Sequence, residues 1–133
     1  MVARTSLATI AVLVATGLTL PVGLVSPASA AHGGGDDVRT SGRCTSGAHW
    51  KLKAKPDDGR LEVEGEIDSN RSGQRWHWTL KHNGSISATG SKKTTGRSGS
   101  FEVERRMANL AGRDHFVFRA THHGQVCRGT ITI

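Results

Sequence analysis

From Cys44 onward, apolar and polar residues alternate with a period of two, the pattern of strands buried on one face. Trp50, Leu52 and Ala54 alternate with Lys51, Lys53 and Lys55. Beyond Pro56-Asp57-Asp58-Gly59, Leu61, Val63, Gly65 and Ile67 alternate with Glu62, Glu64, Glu66 and Asp68. Folding about a four-residue turn at Pro56–Gly59 sets Ala54 opposite Leu61, Leu52 opposite Val63 and Trp50 opposite Gly65. The same register sets Lys53 against Glu62 and Lys51 against Glu64, so one face is apolar and the other is a ladder of opposite charges. Exposed pairs of this kind contribute roughly a few tenths of a kcal/mol each and mainly fix register.

A second hairpin points Trp76, Trp78 and Leu80 one way and Arg75, His77, Thr79 and Lys81 the other. A two-residue turn at Asn83-Gly84 would throw Ile86 into solvent. The pattern therefore favours a three-residue loop, His82-Asn83-Gly84, with Leu80 opposite Ile86, Trp78 opposite Ala88 and Trp76 opposite Gly90. A third hairpin turns at His123-Gly124 and pairs Ala120 with Cys127, Phe118 with Gly129 and Phe116 with Ile131. Between them, Ser100–Met107 reads as a strand with Phe101 and Val103 inward. Arg105 falls on the inward phase, so the strand ends or bulges there, or the guanidinium reaches out to water. Helical periodicity is nearly absent, and its best segment, Arg105–Leu110, is too short to stand alone. About seven strands with turns roughly every 8–12 residues predict an all-β fold, a single immunoglobulin-like β-sandwich of antiparallel strands. All six aromatic rings of the tryptophans and phenylalanines fall on the inward phase, which reserves them for the core rather than for ligand stacking.

The N-terminal thirty residues read differently. Arg4 precedes an apolar run from Leu7 to Leu24, and Ala28-Ser29-Ala30 offers small residues for cleavage before Ala31. Residues 1–30 are thus expected to be a signal peptide, leaving no membrane span after processing. Residues 31–42 read as a disordered Gly-rich leader and 43–133 as the β-domain. Two cysteines remain, Cys44 and Cys127, near the two ends of the domain. In an exported protein such a pair reads as a disulfide.

The series Arg43-Cys44, Trp50-Lys51-Leu52-Lys53, Gly59-Arg60-Leu61-Glu62-Val63-Glu64, Asn70-Arg71-Ser72-Gly73-Gln74-Arg75-Trp76, Ser98-Gly99-Ser100-Phe101-Glu102-Val103, Gly112-Arg113-Asp114 and Cys127 resembles a group of small secreted β-sandwich proteins of high-GC Gram-positive bacteria. The likeness spans about Arg43 to Ile133. It implies export and paired terminal cysteines; it carries no activity and no site residues.

The formal net charge of +7 favours contact with polyanions such as nucleic acid, wall polymers or anionic surfaces. Arg71, Arg75, Lys92, Lys93 and Arg97 are basic residues away from the ion-pair ladder and form the candidate contact surface. Seven histidines raise a metal question, but no H-x-H, H-x-x-x-H or Cys-His spacing appears. Adjacent His122 and His123 point to opposite sides if extended, and the histidines read as solvated. Cleavage before Ala31 would expose an Ala31-His32 terminus able to chelate copper(II). No G-x-S-x-G context or acid–base constellation supports hydrolysis, and no cofactor is implied. The expectation is a secreted, monomeric, non-enzymatic binding module, with an unknown protein or anionic surface polymer outside the cell as partner. The alternatives are an inhibitor of a secreted protease, which would present Gly90–Gly99 as its loop, and a small hydrolase.

Overall fold

Eight antiparallel strands and no helix make up the described residues, Asp37 to Ile133, in a computed structural model. They are β1 (Val38–Arg43), β2 (His49–Asp57), β3 (Arg60–Asp68), β4 (Arg75–His82), β5 (Ser85–Lys93), β6 (Ser100–Ala108), β7 (His115–His122) and β8 (Gln125–Thr132). The expected signal peptide and the Ala31-His32 terminus lie outside the described residues.

Two four-stranded sheets form, in the orders β1-β2-β3-β6 and β5-β4-β7-β8. β3 neighbours β6 in one sheet while β4 neighbours β7 in the other, so the chain passes between the sheets at the β3–β4, β5–β6 and β6–β7 connections. The inner faces meet in a core led by Trp76, Phe116, Phe118, Leu52, Leu61 and Ile67. Cys44 and Cys127 form a disulfide that ties the exit of β1 to β8 in the opposite sheet. The antibody bridge instead joins two central strands.

The rings do fill the interior. Trp76 and Trp78 are buried, and Trp50, half-buried, is clamped between glycines of both sheets. A Cβ built on Gly42 would lie 2.7 Å from the Trp50 ring, and one on Gly129 only 2.5 Å away. The three tryptophans do not lie open together, so the described residues offer no stacking platform. Gly129→Ala therefore forces the indole to move, and overpacking of this kind costs about 1–3 kcal/mol. Urea unfolding is expected to show that loss together with a shifted Trp50 emission; an unchanged midpoint would mean the ring is not held there.

Three hairpins share one turn. Asp58-Gly59, Asn83-Gly84 and His123-Gly124 each place two successive residues at positive φ, the type I′ geometry that matches strand twist. The third hairpin has the expected register. The first does not: its turn has two residues, not four, and pairs Leu52 with Gly65, Ala54 with Val63 and Trp50 with Ile67. A slip of two residues keeps every side chain on its face, which is why alternation alone did not distinguish the two registers. The ladder consequently becomes Lys51–Glu66 at 3.0 Å, Lys53–Glu64, and Lys55–Glu62 at 2.9 Å.

The second hairpin also turns tightly, at Asn83-Gly84 rather than over His82-Asn83-Gly84. Ile86 pairs with Lys81 and is 66% exposed. A register shift between Leu80 and Lys81 then restores the phase, so that Leu80 faces Ala88 and Trp78 faces Gly90. One further expectation changes. The leader is not disordered through Gly42: residues 38–42 belong to β1, whose Gly42 seats the Trp50 ring. At Arg105 the β6 strand continues and, of the expected alternatives, the side chain reaches out to the exposed surface, its guanidinium 5.0 Å from the Trp78 ring centre.

On the outer face of the first sheet, Glu102 stands opposite Glu66 and Glu104 opposite Glu64. Burial, then the Glu64 carboxylate, push the Glu102 carboxyl above the usual range, while the Lys53 hydrogen bond holds Glu64 below it. A raised carboxyl binds its proton more tightly in the folded state, so it disfavours folding increasingly as pH rises above its unfolded value and fully once pH exceeds its folded value. Glu102→Gln is thus expected to be more stable than the parent at neutral pH. The gap should close in mild acid, where protonated Glu102 resembles glutamine. A gap that widens on acidification contradicts this sign.

Candidate functional site

Charge is divided unequally between the sheets. The strands of β1-β2-β3-β6 carry eight Lys and Arg against seven Asp and Glu, many of them paired across strands. The strands of β5-β4-β7-β8 carry six Lys and Arg and no Asp or Glu. Five of those cations, Arg75, Lys81, Lys93, Arg119 and Arg128, project from the exposed face because their neighbours Trp76, Leu80, Phe118, Ala120 and Cys127 point inward. None of the five forms an ion pair among the described residues.

The registers make this arrangement costly. Arg75 lies directly opposite Lys93, and Arg119 directly opposite Arg128. Like charges in direct register disfavour folding by roughly 0.2–1 kcal/mol per pair. Thr79, Thr89, Thr121 and Thr130 fill the face between the cations, and His77 and His115 add imidazoles. His77 Nδ1 is 2.8 Å from Ser91 Oγ, and His115 Nδ1 is 2.8 Å from Thr132 Oγ1. The face thus offers positive charge and hydroxyls with no competing carboxylate. Chemically it can attract and hydrogen-bond oxyanions.

The candidate residues read from the sequence divide in two. Arg75 and Lys93 sit together on this face. Lys92 points to the other side of β5, where its Nζ donates to the Glu102 carbonyl at 2.6 Å and bridges the sheets. Arg71 lies in the β3–β4 loop and Arg97 in the β5–β6 loop. These loops are bound to each other: Ser69 N donates to Gly99 O at 3.0 Å and Gly73 N to Thr94 O at 2.7 Å. Buried Thr94 donates through Oγ1 to Arg71 O at 2.5 Å and accepts from Gln74 N at 3.0 Å. The loop end is therefore a set of fixed turns. Lys81, Arg119 and Arg128 were missed by the sequence reading. Their signal was present as outward-phase cations in two segments, 75–93 and 115–132, that contain no acid.

Gly90–Gly99 is not a long presented loop. Strand β5 runs to Lys93, Thr94 is buried, and Thr95 bridges to Ser100.

Two histidines depart from the solvated expectation because they lie on the inward phase, at opposite ends of the second sheet. His82 Nε2 is 2.5 Å from Asp114 Oδ1, and their side chains are 9% and 2% exposed. Asp114 Oδ2 also accepts from Leu110 N at 3.2 Å, and the His82 ring stacks on Phe116. The pair is an internal strut between β4 and the β6–β7 loop. At the other end, half-buried His122 stacks on Trp76, with ring centres 5.3 Å apart. The carboxylates of Glu62, Glu64 and Glu104 come within 4.8 Å of one another, but Glu62 and Glu64 are already taken up by the lysine ladder. Comparison of the chain with family models, with curated proteins and with solved structures gives no match.

Proposed function

We propose that this is an exported, non-enzymatic binding module whose β5-β4-β7-β8 face takes a linear polyanion, a polymer bearing phosphate, sulfate or carboxylate groups. One observation carries the reading: four adjacent strands hold six Lys and Arg, two like-charged pairs in direct register, and no acidic residue. The other sheet, by contrast, neutralises its lysines rung by rung. An unneutralised face lowers stability unless something else supplies the negative charge, and a bound polyanion does so while releasing its counterions. Basic residues Arg71 and Arg97 at the loop end extend the contact beyond the flat face. The disulfide is consistent with an oxidising compartment.

Anisotropy of a labelled oligothymidylate, used as a generic flexible polyanion, tests the assignment to this face. Arg119→Glu with Arg128→Glu is expected to weaken binding at least tenfold. Reversing two cations of the other sheet, Arg39→Glu with Lys51→Glu, changes the net charge equally and should weaken binding several-fold less. Equal losses from both pairs would overturn the assignment and leave only the net charge.

A further inference from the structure

We propose a second, independent site at the loop end of the sandwich, where His122 and His123 bind a divalent late transition metal, copper(II) before the others. In an extended strand these neighbours would face opposite sides. Here His123 occupies the first position of the type I′ turn with φ 44°, and its ring swings back against His122. The ring centres are 4.3 Å apart and the planes meet at 88°. Two imidazoles bound cis to one ion, each nitrogen about 2 Å from it, place their ring centres roughly 4.5–5 Å apart. The equivalent positions of the other two turns hold Asp58 and Asn83, residues suited to positive φ; only this turn places an imidazole there.

His122 is prepared as a ligand by its surroundings. Its Nδ1 is 2.7 Å from the Arg75 carbonyl, which can only accept, so Nδ1 carries the proton and Nε2 of the neutral ring keeps its lone pair. A backbone acceptor on the remote nitrogen is the usual orienting contact for metal-binding imidazoles. Stacking on Trp76 fixes the ring plane. Both histidines line a cavity of about 280 Å³ shared with Gln74 and Arg71. Two imidazole nitrogens form a borderline donor set, for which copper(II) stands highest among the divalent first-row ions. The Arg71 guanidinium at the rim opposes a cation and sets the affinity below that of a buried site with charged ligands.

Copper(II) titration followed by tryptophan fluorescence tests the site, because an ion on His122 lies next to Trp76 and quenches it. The purified protein carries His32→Ala, so that an Ala31-His32 chelate is not read. The expected result is quenching that saturates at one equivalent. His123→Asn, a residue that suits the turn, and His122→Gln should each raise the Kd at least tenfold, whereas His77→Gln should leave it unchanged. Quenching that never saturates, or a His123→Asn titration that superimposes on the parent, would overturn the proposal. His123→Asn is expected to melt at or above the parent temperature, so its loss of copper reports the missing ligand.

Discussion

Replacing Cys44 and Cys127 together by alanine is expected to lower the unfolding free energy by about 4–5 kcal/mol. The bridge closes a segment of 83 residues, nearly the whole sandwich. In the chain-entropy account, releasing so long a loop gives the denatured ensemble most of that amount. The folded state changes less, because Thr45 and Val126 remain joined by two hydrogen bonds, at 3.0 and 2.9 Å. Urea unfolding should therefore show a lower midpoint and a larger m-value, since the unbridged chain expands further. A loss below about 1 kcal/mol would mean that the bridge adds little to the noncovalent contacts beside it.

The second large effect concerns the internal strut. Asp114→Ala is expected to cost about 2–4 kcal/mol, since a buried hydrogen-bonding group left without its partner costs roughly 1–3 kcal/mol and Asp114 serves two. It leaves His82 facing an apolar pocket against Phe116 and strips Leu110 N of its acceptor. Asp114→Asn retains an acceptor oxygen for one of these contacts and should lose less. Chemical unfolding of both variants checks the order. Equal and small losses would show that the pair adds nothing beyond the backbone contacts of Asp114 with Ile133, at 3.0 Å in each direction.

Alternation of apolar and polar residues was enough to place the core and to identify an all-β chain, because Trp76, Phe116, Phe118 and Ile67 could be buried only on one phase. Register needed more. A period of two is blind to a slip of two, and at Asp58-Gly59 the preference of an Asp-Gly pair for a type I′ turn settled what the pattern left open. Ile86 misled for another reason: exposing one isoleucine proved compatible with the fold once a bulge restored the phase beyond Leu80. Gly42 looked like part of a flexible leader, yet its missing side chain is the space into which the Trp50 ring fits.

The candidate surface was half legible. Arg75 and Lys93 were visible as cations without local carboxylates. That Arg119 and Arg128 share their sheet depends on β4 pairing with β7, an association of segments far apart in the chain. The His82–Asp114 strut, 32 residues apart in sequence, was hidden for the same reason. For His122 and His123, extended geometry gives opposite directions, whereas the left-handed turn at His123 brings their rings together.

The most direct test of the polyanion face is the salt dependence of oligothymidylate affinity in the parent and in the Arg119→Glu, Arg128→Glu variant. The logarithm of affinity should fall linearly with the logarithm of salt concentration. The variant's slope should be shallower by about 0.7 for each phosphate it no longer neutralises, the value for a single strand. Affinity indifferent to salt, or identical slopes in the two proteins, would contradict the account.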